Sequence, residues 1–352
     1  MSESCNGYAR SRKRQLTTAM LGVVVACLLF QTACKRGPTE PETKEPREYD
    51  WKIDTLGGQM LSIWGRSPND IYMGGSSGGP HFYHYDGSSW TPVAFSMVYD
   101  FGDIYGIMSF DRDVYTVGAN WGTWGRDSSI IMHFDGSRWA EQHVASGRAL
   151  YTIWGTSSND IWTGGHAGTL YHSDGTKWSR VPIDPRLDTK SFAGLASDDI
   201  YLLGTLVNDP SNYYLNYWAL YHYDGATWRI IDSIGIATSQ FGTRFGEARL
   251  AYIGGKLYSF GYGIFKMDND GWHQVVSTND ILISVYVLSA NSAYAIGNGS
   301  LVYYFNGMTW DQLTLPIDAS HRLTSVWSTS SETFIIGEED ISKNRTLLLH
   351  GR

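Results

Sequence analysis

The stretch "YHYDGSSW", Tyr83 to Trp90, returns almost unchanged as "YHYDGATW", Tyr221 to Trp228. Each copy holds a His and an Asp, so the repetition has two readings. The pair is either acid/base chemistry or one corner of a repeated structural unit. Related corners occur at His133-Phe134-Asp135-Gly136 and His172-Ser173-Asp174-Gly175. A catalytic pair is normally unique, because one substrate meets it at one place. Four equivalent copies point instead to a shared structural bond, from imidazole to a neighbouring carbonyl or carboxylate.

Longer alignments extend the unit. "LYTIWGTSSNDIWTGGHAGTLYHSDGTKWSRV" (Leu150 to Val181) lies on "MLSIWGRSPNDIYMGGSSGGPHFYHYDGSSWTPV" (Met60 to Val93). The Asp of N-D-I-Y has counterparts at Asp70, Asp113, Asp160, Asp199, Lys256, Ser292 and Glu332, a period of about 44 residues. Each unit reads as four short strands: one ending in "SIWG", then "DIYMGG", "FYHYDG" and "WTPV". Asn-Asp joins the first two strands, and Asp-Gly, with its positive φ, joins the last two. Trp51, Trp90, Trp139, Trp178, Trp228, Trp272 and Trp310 open the seven fourth strands, placed to pack between units. The last unit runs out at "TLLLHGR" without its Trp strand, and "YDWKIDTL" around Trp51 supplies one. The expected fold is therefore all-β, a seven-bladed β-propeller over 49–352 whose last blade is closed by the N-terminal strand, leaving no open edge.

These units resemble known β-propeller families. Gly74-Gly75 and Gly164-Gly165 followed by a fourth-strand Trp look like kelch repeats, and D-G-x-x-W is similar to the Asp-box with one residue fewer. The fullest likeness is to bacterial lipoprotein propellers built of I-W-G-x-S-x-N-D-I-Y…H-Y-D-G-x-x-W. The resemblance implies a fold and leaves activity open, since propellers host many functions.

The N-terminus carries a different message. Arg10, Arg12, Lys13 and Arg14 precede an apolar run from Leu16 to Ala33, which ends in "QTAC". That pattern resembles a lipoprotein signal peptide over 1–33, with Cys34 lipidated. Gln31 departs from the usual aliphatic residue. "VVAC" at Cys27 fits better locally, but more apolar residues follow it. An uncleaved signal anchor is the alternative. Residues 34–48, rich in Pro, Glu and Lys, read as a flexible tether able to span roughly 40 Å. The protein is thus expected in the bacterial cell envelope, held to the membrane by its lipid alone, at the outer membrane or cell surface.

Composition narrows the partners. The formal net charge is −8 over 352 residues, and losing the leader removes three net positive charges, leaving about −11. No basic block remains, so nucleic acid is not an expected partner. All three cysteines lie at or before position 34, which leaves no thiol or disulfide in the propeller. No catalytic or cofactor motif is present, and no cofactor or metal is expected. Asp100 with Asp103, and Glu338-Glu339-Asp340, lack EF-hand spacing. A sialidase-like site would need several arginines to converge, with Arg126, Arg244, Arg249 and Arg322 as candidates. A glycosidase would need two carboxylates at a set separation.

Loop lengths point to a ligand face. Turns between first and second strands, and between third and fourth, are short and regular. The opposite face carries "SSGGPHF", "ANWGTWGRDSS", "TLVNDPSNYYLNYW" and the links "AFSMVYDFG" and "DSIGIATSQFGTRFG". Function carried by loops on a rigid scaffold follows this pattern. Trp121, Trp124, Tyr213, Tyr214, Tyr217 and Trp218 lie in those segments, where their rings either stack on a ligand or cover the core. The expected role is a monomeric, non-catalytic recognition or scaffold module for an envelope protein or polysaccharide. The alternative is a polysaccharide-processing hydrolase or lyase with its active site in the central channel.

Overall fold

The computed structural model describes residues 48–76, 81–93, 102–121, 127–142, 148–236, 248–340 and 344–352. The leader, Cys34 and the tether up to residue 47 lie outside the described residues. So does Trp124.

Seven four-stranded antiparallel sheets follow one another along the chain. Blade 1 comprises Met60–Ser67, Asp70–Gly75, Phe82–Tyr85 and Trp90–Pro92. Blade 2 comprises Asp103–Phe110, Asp113–Trp121, Asp127–Phe134 and Trp139–Glu141. Leu150–Ser157, Asp160–Gly165, Leu170–Ser173 and Trp178–Arg180 form blade 3; Leu187–Ala196, Asp199–Leu206, Tyr217–Tyr223 and Trp228–Gly235 form blade 4. Blade 5 is Arg249–Ile253, Lys256–Gly261, Gly263–Asp268 and Gly271–Val276. Blade 6 is Leu282–Ser289, Ser292–Gly297, Val302–Phe305 and Trp310–Gln312. Blade 7 takes Arg322–Ser328, Thr333–Asp340 and Arg345–Gly351 from the end of the chain and Trp51–Gly57 from its beginning.

The first strand of each blade touches the first strands of both neighbours, so these seven strands line a closed central channel. Closure is made by a seven-residue ladder from Trp51↔Gly351 to Gly57↔Arg345. Side chains reinforce it: Thr346 Oγ1 donates to Gly58 O at 2.7 Å and accepts from Met60 N at 2.8 Å. The fold is a seven-bladed β-propeller, and it belongs to the fold class the repeat period implies.

Packing explains why the repeat is written as it is. Seven apolar clusters hold the molecule together, one at each blade–blade interface. Every fourth-strand Trp packs on the cluster shared with the preceding blade: Trp139 stands edge-on to Phe82 at 5.1 Å, Trp228 to Trp162 at 5.4 Å and Trp310 to Phe260 at 5.5 Å. Aromatic area of this kind is the main stabilising term at such an interface.

The glycine at the sixth position of the second strand answers a different need. A Cβ on Gly75, Gly118, Gly165 or Gly297 would lie 1.8–2.0 Å from the carbonyl oxygen of Gln59, Asp103, Ala149 or Ile281. The backbone at the start of the innermost strand passes there, so no side chain fits. This is the one glycine of the pair that the weaker repeats keep.

Candidate recognition site

The His and Asp of the opening motif do not bond to each other. His84 Nε2 meets Asp70 Oδ1 at 2.9 Å, His133 meets Asp113 at 2.7 Å, His172 meets Asp160 at 2.9 Å and His222 meets Asp199 at 2.8 Å. The partner is the residue that opens the second strand, across the second–third hairpin. Blade 7 has a fifth version, His350 with Glu332 at 2.7 Å. Each imidazole also lies against the aromatic ring directly opposite it in the ladder: Tyr72, Tyr115, Trp162, Tyr201 and Phe334, at centroid distances of 4.6, 4.5, 4.4, 4.6 and 3.9 Å. Three of those rings, Tyr72, Trp162 and Phe334, in turn receive the fourth-strand Trp of the next blade. The pair is a brace behind an interface ring. Burial pulls the Asp160 carboxyl upward, but hydrogen bonds from His172, Thr156 and Trp162 outweigh it and leave the group below its ordinary range.

Blade 5 builds the same corner from other residues. Lys256 and Lys266 occupy the Asp and His positions, and both approach the Asp268 carboxylate, at 3.5 and 3.1 Å. The corner is held there by two ion pairs to Asp268 and without an imidazole, which fits a structural role for the His–Asp bond.

The Asp of each Asp-Gly turn has its own task. Asp86 Oδ1 accepts from Ser88 N, Ser89 N and Ser88 Oγ at 2.7–2.9 Å, while Gly87 sits at φ +94°. Hydroxyl and then backbone donors hold Asp86, Asp135 and Asp174 at a pKa of about 2.

The turns joining first to second strands have two residues in six blades, whereas the other face is irregular. On that face the blade 4 loop is tied by Asn216, whose Oδ1 accepts from Asn208 N at 2.8 Å and Asp209 N at 3.1 Å. A 3-10 turn, Tyr213–Leu215, follows. It leaves Tyr214 66% exposed and Leu215 54%, with Tyr217 at 44%. Trp218 is different: both faces of this strand are buried from Trp218 to Tyr221, and alternation places Trp218 on the blade 5 side, 7% exposed among Ala193, Leu203, Leu220, Ile236 and Leu250. It covers the core instead of facing a ligand. Trp121 ends the second strand of blade 2.

The channel opens on this same face, where the first strands begin. Its mouth is a cavity of about 240 Å³ to which Leu61, Tyr105, Tyr151, Lys190, Ile283 and Thr324 each contribute, with Arg249 and Arg322 completing the wall. Arg249 and Arg322, two of the four sequence candidates, are thereby brought together; Arg126 and Arg244 lie outside the described residues. Arg249 also lines a second cavity of about 350 Å³ further along the channel, walled by Trp64, Trp154, Phe192, Tyr252 and Tyr286. Burial pushes the Arg249 guanidinium down to about 10 and lowers the Lys190 ammonium.

No Asp or Glu lines either cavity among the described residues. The two channel carboxylates that a glycosidase reading requires are not found there. Arg322 donates to Glu338 at 3.0 Å and Arg345 approaches Glu339 at 3.2 Å, so both acidic residues are engaged in ion pairs. Among the described residues no three His, Cys, Asp or Glu side chains could share a metal ion. Lys190 was missed in the sequence because it sits in an ordinary strand; only closure of the ring places it beside Arg249.

No protein-family model matches the chain, and no curated protein matches it. Solved structures do. YCF48 bound to a D1 peptide superimposes with a TM-score of 0.60 at 14% identity, covering 86% of this chain and 97% of that one. YCF48 from Cyanidioschyzon merolae gives 0.57 at 14% identity, covering 85% and 98%. The WD40 propeller domain of Doa1 gives 0.55 at 10% identity, covering 86% and 97%. At such identities the likeness is one of fold alone.

Proposed function

We propose that this protein is a lipid-anchored recognition propeller that holds a segment of a partner protein across its loop-bearing face. The observation that carries the reading is the asymmetry of the two faces. One carries two-residue turns in six blades and Asp-Gly turns braced by Asx bonds; the other displays Tyr214, Leu215 and Tyr217 and the open channel mouth. Exposed aromatic and apolar groups on a rigid frame suit a protein partner. YCF48, a propeller of similar fold, carries a D1 peptide in its structure, which supports a peptide over a glycan. The basic, apolar and small-residue leader ending at Cys34 supports anchoring outside the cytoplasm.

The test places a photo-crosslinking residue at Tyr214 and, separately, at Ser88 on the regular face of the full-length chain in its native cell. A partner captured from Tyr214 alone, and bound by the purified chain with an affinity that falls in Tyr214→Ala, supports the reading. Equal capture from both positions counts against it. Release of sugar from a polysaccharide panel would replace it with the enzymatic alternative.

A further inference from the structure

The channel mouth holds two cations that make no ion pair among the described residues. Arg249 is half-buried, and its Nη1 donates to the carbonyl oxygens of Ala248 at 3.0 Å and Lys190 at 3.5 Å. Among the described residues no carboxylate lies within ion-pair distance of its guanidinium. Lys190 rests its ammonium over the Tyr151 ring at 5.3 Å and likewise has no ion pair among the described residues. The neighbouring acids are committed elsewhere. Asp188 accepts from Ala167 N at 2.9 Å and lies 2.7 Å from His166 Nδ1; its charge favours the Lys190 ammonium without coming within ion-pair distance of it. Asp103 accepts from Tyr105 Oη at 2.8 Å, and Glu338 is held by Arg322.

Two like charges side by side in a partly enclosed cavity repel each other and lose hydration, a cost that persists only where something offsets it. This occurs in a chain whose net charge is −8. Burial lowers the proton affinity of both groups, and a bound anion would restore it. The cavity has room for one acidic side chain, with the Tyr105 and Tyr151 rings as its flank.

We propose that the channel mouth is a carboxylate site, in which Lys190 and Arg249 together bind a carboxylate of the partner's peptide segment, from an acidic side chain or a chain end. Arg249 offers a planar fork and Lys190 a point charge, the combination suited to one oxyanion. This assignment rests on the recognition reading and supplies the chemistry of its anchor.

The experiment uses the full-length chain, with glutarate, galacturonate and inorganic phosphate as probes at constant ionic strength. Binding is read by calorimetry and by the rise in Tm. Glutarate is expected to bind, with Kd rising by at least about tenfold in Lys190→Gln and rising also in Arg249→Lys, which keeps the charge and loses the fork. Should Arg249→Lys fail to fold, Lys190→Gln carries the test, because its side chain stands in the open mouth. No glutarate binding at millimolar concentration, or equal binding by wild type and Lys190→Gln, overturns the site. Phosphate held tenfold more tightly than glutarate overturns the carboxylate, and galacturonate so held overturns the peptide. Acetyl-Gly-Glu-Gly-amide against acetyl-Gly-Gly-Gly with a free C-terminus separates side chain from chain end. Glutarate bound at Lys190 with no protein crosslinked at Tyr214 would fail the recognition reading and leave the site standing. A crosslinked partner bound equally by wild type and Lys190→Gln would do the reverse.

Discussion

His172 and Asp160 meet at 2.9 Å across the second hairpin of blade 3, and the imidazole lies against Trp162, onto which Trp228 of blade 4 packs. The bond and the interface are therefore one assembly. Replacing His172 by Ala removes the donor to a largely buried carboxylate and the ring that backs Trp162. A loss of about 1–3 kcal/mol is expected in urea unfolding. Asp160→Ala should lose a similar amount, and the double variant less than the sum, since both report one contact. Partner binding by the folded variants should not change; a variant of full stability with abolished binding would return the pair to the functional residues.

Gly165→Ala tests the close approach of two backbones. The new Cβ would stand 1.8 Å from Ala149 O, and a backbone carbonyl cannot step aside as a side-chain end can. Overpacking of this kind costs about 1–3 kcal/mol or more. By contrast Gly255→Ala meets no atom within 4 Å and bears only the strain of a φ of +75°. Thermal unfolding should rank Gly165→Ala well below Gly255→Ala.

The Asx turns give the protein an acid limit with a definite sign. Folded Asp86, Asp135 and Asp174 titrate near pH 2, below the unfolded value of about 3.9. Their contribution is complete above the unfolded pKa and is lost as pH falls through the folded one, between pH about 4 and 2. Blade 6 already uses Asn306 in this position, with Met308 N and Thr309 N donating to its Oδ1 at 2.9 Å. The triple variant Asp86→Asn, Asp135→Asn, Asp174→Asn should keep the turns and show a flatter stability profile across that window. An unchanged slope would mean that other carboxylates govern acid unfolding.

Trp218 and Tyr214 should separate stability from recognition. Trp218→Ala opens a cavity in the core between blades 4 and 5 and is expected to cost about 3–5 kcal/mol. Tyr214→Ala removes a ring that is 66% exposed, and its effect on unfolding should stay within about 0.5 kcal/mol. If Tyr214→Ala unfolds the protein, the loop is part of the frame and not of the binding face.

Much of the frame was legible because each repeat position has a local physical reason. Asp-Gly marks a positive φ, Trp marks an interface, and the missing Trp strand of blade 7 identifies Trp51–Gly57 as its substitute. The sequence also pointed to a structural role for His84, His133, His172 and His222 but not to the partner. Asp70 lies 14 positions before His84 and Asp113 lies 20 before His133, because the intervening loops differ in length. The mouth as a whole was illegible for a related reason. Arg249 and Arg322 are sequence candidates from their place near loops, but nothing in the local pattern around Lys190, a whole blade away in sequence, distinguishes it from a solvated surface residue. Trp218 misled because it adjoins a polar loop while its strand register points it inward.

Closure has a consequence for how the molecule comes into being. Trp51 finds Gly351 only after about 300 intervening residues have been made and delivered. Until then blade 7 lacks its outer strand, and Leu347, Leu348 and Leu349, all buried in the finished ring, have not arrived to fill two of its seven interfaces. Blades 1 to 6 can form in order as they emerge, but the ring locks only when its two ends clasp. The propeller thus remains an open arc until its last strand has formed, so truncations near position 345 are expected to be far more damaging than insertions of equal size in the loop around Ser211.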